Sequence, residues 1–126
     1  ADVMTDGDRR TKSNIGLINQ RYIFALIGNG QKLEIVSNYD RFRHSVPFSF
    51  KTNIWYTLKT RVDILEDGTG MIRAKAWPKS AEEPDQWTIE VAHETPHLQG
   101  APGVYAMSPQ SKKKVYFDNL SIRYNN

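Results

Sequence analysis

Lys59 and Arg61 stand two residues apart in one segment, and Arg73 and Lys75 in the next, at the spacing that puts alternate strand residues on one face. Glu90 of the following apolar-alternating segment adds a carboxylate to that face, and Trp77 continues it with an indole. Clustered cations suit carboxylates and sulfates, and an indole can stack on the apolar side of a pyranose ring. Arg61, Arg73, Lys75, Trp77 and Glu90 are therefore the candidate ligand residues, with Asn19 and Arg21, on the alternate parity from Tyr22, as additions to the same face. The plainer reading is a solvated sheet face whose cross-strand charge pairs contribute about 0.2–1 kcal/mol each.

Catalytic arrangements are harder to find. Glycoside hydrolysis needs two carboxyl groups roughly 5–9 Å apart, and the acidic residues do not line up for it. Glu90 and Glu94 are separated by Ala92, and the stretch from His93 to Pro96 reads as loop; Asp63 stands alone among basic and neutral neighbours; Glu82 and Glu83 sit in a loop flanked by prolines. His93 and His97 would aim at one metal ion only on a helix. Pro96 and the lack of helical periodicity make this stretch an exposed loop instead. The chain has no cysteine, which removes disulfides, thiolate metal sites and cysteine nucleophiles together. No catalytic residue is assigned.

Charge and hydropathy narrow the partners. Lys+Arg number 17 against 14 Asp+Glu, for a net charge of +3. The basic residues are scattered, Lys112, Lys113 and Lys114 forming the one run of three, which reads as a solvated turn. A nucleic-acid binder concentrates its cations on one element, so no nucleic-acid partner is expected. No apolar run reaches the 18 residues of a membrane span, and residues 1–14 lack the apolar stretch of an export signal.

The elements that must hold these side chains are strands. Tyr22 to Ile27 and Leu33 to Val36 form a hairpin, with Gly28-Asn29-Gly30 expected to supply its left-handed positions. Trp55 to Ile64 alternates, with Tyr56, Leu58 and Val62 on the apolar face; a turn containing Gly68 leads to Met71–Trp77, in which Ile72, Ala74 and Ala76 are apolar. A strand at Trp87 to Val91 would bury Trp87 with Ile89 and Val91. Val104 to Met107, Val115 to Phe117 and Leu120 to Ile122 read as short closing strands. The expected fold is all-β, an antiparallel two-sheet sandwich over residues 15–126, preceded by a polar, partly flexible segment at 1–14.

The successions Gly16-Leu17-Ile18-Asn19-Gln20-Arg21-Tyr22, Trp55-Tyr56-x-Leu58-Lys59-x-Arg61-Val62, Arg73-Ala74-Lys75-Ala76-Trp77, Glu83-Pro84-x-x-Trp87, Gly100-x-Pro102-Gly103-Val104 and Tyr116-Phe117-Asp118-Asn119 resemble a concanavalin A-like, laminin-G-like domain. The likeness is to bacterial examples appended to extracytoplasmic multidomain proteins, some with quinoprotein-type β-propellers. The resemblance implies a jelly-roll sandwich, sugar binding on the concave sheet face, and a periplasmic or extracellular location. It also implies a structural calcium at Asp118, against the commoner role of such a residue in turn hydrogen bonding. The function so implied is a non-catalytic carbohydrate-recognition or accessory module; the alternatives are a fragment of a polysaccharide-degrading enzyme and a structural or assembly module without ligand. The likeness covers only the C-terminal two-thirds of such a domain. A sandwich short of its opening strands leaves an unpaired edge and an uncovered apolar face, which points to a strand-swapped homodimer or to a missing N-terminal fragment.

Overall fold

A computed structural model of the chain describes residues 1–8, 11–37, 40–108 and 113–125. The strands are β1 (Asp2–Thr5), β2 (Asn14–Asn19), β3 (Tyr22–Ile27), β4 (Lys32–Ser37), β5 (Arg43–Pro47), β6 (Tyr56–Ile64), β7 (Gly70–Pro78), β8 (Ile89–His93), β9 (Gly103–Met107) and β10 (Val115–Asp118). They build two five-stranded antiparallel sheets, in the orders β10-β1-β6-β7-β8 and β5-β4-β3-β2-β9, with no helix among the described residues. The expected antiparallel two-sheet sandwich is therefore present.

Period-two alternation accounts for the core. Tyr56, Leu58 and Val62 of β6, with Ile72, Ala74 and Ala76 of β7, pack in one cluster with Ile15 and Leu17 of β2, Tyr22, Phe24 and Leu26 of β3, and Leu33 and Ile35 of β4. Each large apolar side chain covered in this way contributes about 1.5–3 kcal/mol. β-branched and aromatic residues dominate these strands because they fit a pleated surface covered on one side.

Several local expectations change. The N-terminal residues, read as a partly flexible segment outside the sandwich, supply β1, which lies inside a sheet between β10 and β6 and buries Val3. Polar composition hid it, because Asp2 and Thr5 are both buried there, Asp2 through hydrogen bonds from Thr57 and Asn119. β5 escaped notice because an edge strand need not alternate, and Arg43, His44 and Ser45 are all exposed. In the β3–β4 turn the left-handed residue is Gln31 (φ 48°), not Gly28 or Gly30; its side chain bonds Gly28 O and Phe50 N. Leu120 to Ile122 forms no strand: Asn119 (φ 52°) turns the chain out of the β10 ladder, leaving Leu120 and Ile122 exposed. Of the basic run, Lys112 lies outside the described residues.

Candidate functional site

The β6–β7 register sets Lys59 opposite Lys75, Arg61 opposite Arg73 and Thr57 opposite Trp77. Like charges directly opposed across a ladder repel, so the face holds only because carboxylates interleave. Glu83 bridges Lys59 and Lys75 at 3.1 and 2.7 Å, and Asp63 bridges Arg61 and Arg73 at 2.8 and 3.0 Å. Glu90, opposite Arg73 in the β7–β8 register, accepts from its Nε at 2.5 Å. The outer face therefore sets four cations against three carboxylates, where the sequence suggested a mainly cationic surface.

Lys75 is the centre of this arrangement. Its side chain is only 7% exposed, its Nζ donates to Pro84 O at 2.7 Å, and it lies 5.0 Å from the Trp87 ring centre and 5.8 Å from that of Trp77. The proline-bearing loop is thereby folded back over the sheet. Trp87, expected in the core on strand parity, lies beside Lys75 and is not part of the apolar core. The parity argument failed because β8 begins at Ile89, two residues later.

Beside this face runs a groove of about 520 Å³, lined by Asp2, Thr57, Lys59, Arg61, Trp77 and Glu83 on one side and by Asn119, Ser121, Arg123, Tyr124 and Asn125 on the other. Ala1 and Leu58 exchange backbone hydrogen bonds at 2.9 and 3.0 Å. Strand alternation then aims the Thr60 N–H and C=O the same way, into the groove. Among the described residues no strand pairs with β6 there; the Val62 carbonyl instead accepts from Asn125 Nδ2 at 2.5 Å. The groove thus offers backbone as well as side-chain hydrogen-bonding groups, with the Trp77 indole and the fully exposed Tyr124 ring at its walls.

Its two carboxylates, Asp2 and Glu83, are both held ionised. Burial pushes the Asp2 carboxyl up, but hydrogen bonds from Asn119, Thr57 and Lys79 outweigh it and hold it below the usual carboxylate range. Hydrogen bonds from Lys75 and Lys59 hold Glu83 below that range too.

The remaining candidates lie elsewhere. Asn19 faces inward and donates to Thr60 Oγ1 at 3.3 Å between the sheets, so it does not share the outer face with Arg61. Arg21 occupies the β2–β3 turn, where Gln20 and Arg21 both have positive φ (52° and 71°). Both were misplaced because the residues belong to the other sheet, which parity counted along one strand cannot reveal. Asp118 ends β10 and accepts from Asn119 N–H at 2.8 Å. Among the described residues no three His, Asp or Glu side chains gather as metal ligands.

His93 and His97, read as lying on an exposed loop, are instead engaged: His93 is buried at the end of β8, and both are hydrogen-bonded. The signal for His93 was its inward parity with Ile89. For Glu83, Trp87, Asn119 and Tyr124, which sequence reasoning left out of the site, the folding back of a loop and a tail brings them together, and no local pattern records that. No family model, no curated protein and no solved structure matches the chain.

Proposed function

We propose that this chain is a non-catalytic carbohydrate-recognition module, built as a concanavalin A-like jelly roll and carried by an exported bacterial protein in the periplasm or outside the cell. The observation that carries the reading is the groove beside β6, in which Trp77 and Tyr124 flank Lys59, Arg61, Asn119 and the Thr60 backbone. Aromatic rings beside planar and charged hydrogen-bonding groups match the mixed apolar and hydroxylated surface of a sugar. Arg123, with no carboxylate within ion-pair distance among the described residues, suits a uronate or sulfate on that sugar. Hydrolysis needs a carboxyl group kept protonated as general acid. Asp2 and Glu83 are shifted the opposite way, which favours recognition over catalysis.

Calorimetric titration with uronate-containing and neutral oligosaccharides tests this. Saturable binding that is lost in Trp77→Ala and retained in Trp55→Ala supports it. Absence of binding across both sets, or binding indifferent to Trp77, sinks it.

A second reading, an assembly module, is favoured by the unpaired stretch of β6 beyond Leu58. An extended segment from another chain would add there antiparallel to β6, in line with β1. Light scattering separates the two: this reading requires association in the absence of any sugar, and a monomer at high micromolar concentration contradicts it.

A further inference from the structure

At the end of the sandwich away from Trp77, β8 closes on His93, which pairs with Gly70 and shares the inward side with Ile89. Its Nε2 lies 2.9 Å from Asp40 Oδ2 and its Nδ1 2.6 Å from the Tyr22 hydroxyl. A carboxylate can only accept, so Nε2 carries a proton toward Asp40, while Nδ1 meets the Tyr22 hydroxyl. The Tyr22 oxygen then accepts the His97 backbone N–H at 3.2 Å. The Tyr22 hydroxyl thereby links His93 at the end of β8 to the segment that follows it.

His97 is the anchor of the segment that follows. Residues 94–102 belong to no strand. Besides the bond to Tyr22, Gln20 Nε2 donates to His97 O at 2.5 Å, and His97 Nε2 meets Ser37 Oγ at 2.5 Å. Two glycines permit the close packing: a Cβ on Gly70 would stand 2.5 Å from Pro96, and one on Gly100 would stand 2.9 Å from the Arg21 backbone. The segment is therefore tied across the gap between the sheets at His97, by its backbone N–H and C=O and by its ring.

We propose that residues 94–100 form a strap that acid releases, the His97 ring, packed beside His93, taking up a proton as the pH falls below about 6.5 and the strap leaving the Tyr22–Phe42 end of the core. The groups facing the pair are Arg21 from the β2–β3 turn, Tyr22 from β3, Asp40 from the turn before β5, and His44, whose ring meets Phe42. Burial disfavours charge on His97, Asp40 favours it, and His93 and Arg21 disfavour it, with the balance toward the neutral ring. Asp40 alone opposes release, and it is already engaged by Phe42 N–H and His93.

Hydrogen–deuterium exchange on the intact chain at pH 7.5 and pH 5.0, corrected for intrinsic rates, tests the strap. Protection of amides in 94–100 is expected to fall by several-fold, up to the ceiling of about 30-fold that one ordinary imidazole allows at pH 5.0, while β6 and β7 amides hold. His97→Gln keeps a hydrogen-bonding end near Ser37 but cannot be protonated, and is expected to remove most of the pH dependence. Protection that is independent of pH, or equally pH-dependent in H97Q, overturns the proposal. Should H97Q not fold, the NMR titration of the native His97 ring decides: a midpoint below the ordinary histidine value supports the strap, and one at or above it refutes it.

Discussion

Lys75 and Glu83 make a 2.7 Å ion pair in which the lysine is almost fully covered and the glutamate is half open to water. The pair ties a loop to the middle of a sheet: Glu83 holds Lys59 as well, and Lys75 also holds the Pro84 carbonyl. The ammonium of Lys75 lies beside the Trp87 and Trp77 rings. One side chain thereby positions both the loop and the indoles of the outer face.

Lys75→Met keeps the stem and removes the charge. It is expected to lower stability by about 1–2 kcal/mol, the range of charge-assisted hydrogen bonds discounted for the exposed glutamate. The loop at 79–87 should become the first site of proteolytic cleavage. Urea unfolding and timed digestion read the two effects, and a loop as resistant as in the parent would show that Lys75 does not hold it.

Trp87→Ala discriminates the outer-face position from a core one. A core tryptophan costs about 3–5 kcal/mol on truncation. Outside the core cluster and beside Lys75, Trp87 is expected to cost about 1 kcal/mol in urea unfolding. A loss above 3 kcal/mol would restore it to the core.

Tyr22→Phe leaves His93 Nδ1 and the His97 N–H without their shared partner. The expected loss is about 2–3 kcal/mol, since buried groups stripped of a partner keep their desolvation cost. Burial also raises the Tyr22 hydroxyl above its ordinary value, so its contribution is present at neutral pH and declines as the pH rises past about 10. The variant should lack that alkaline decline, which urea midpoints between pH 8 and 11 would reveal.

Acid should act in two stages. Burial depresses His97, so the unfolded chain binds its proton first, and stability falls as the pH drops below about 6.5. Asp2, Asp40 and Glu83 are held below the ordinary carboxylate range, so their contributions persist above it and are lost as the pH falls through their lower folded values, below about 4. Urea midpoints at pH 7.5, 5.5 and 3.5 should decrease at each step; a flat profile from 7.5 to 5.5 contradicts the first stage.

Much of the sheet architecture was legible in the sequence. β6 and β7 are nine-residue strands with clear alternation, and Arg61, Arg73, Lys75, Trp77 and Glu90 emerge on the side that parity assigns. β1 and β5 were not legible, because one is short and buries the polar Asp2 and Thr5, and the other lies on an edge where nothing demands apolar alternation.

By itself the sequence determined an all-β chain and the facing of its two long central strands, because the period of two is a local property of extended backbone. Only the tertiary structure decided that carboxylates neutralise the cations, that Asn19 and Arg21 belong elsewhere, that a tail walls the groove beside Trp77, and that Asp40, Tyr22, Ser37 and two histidines meet. Those relationships join residues up to 117 positions apart, as Asn119 and Asp2 are. Parity along one strand carries no information about which strand, loop or terminus will pack against it.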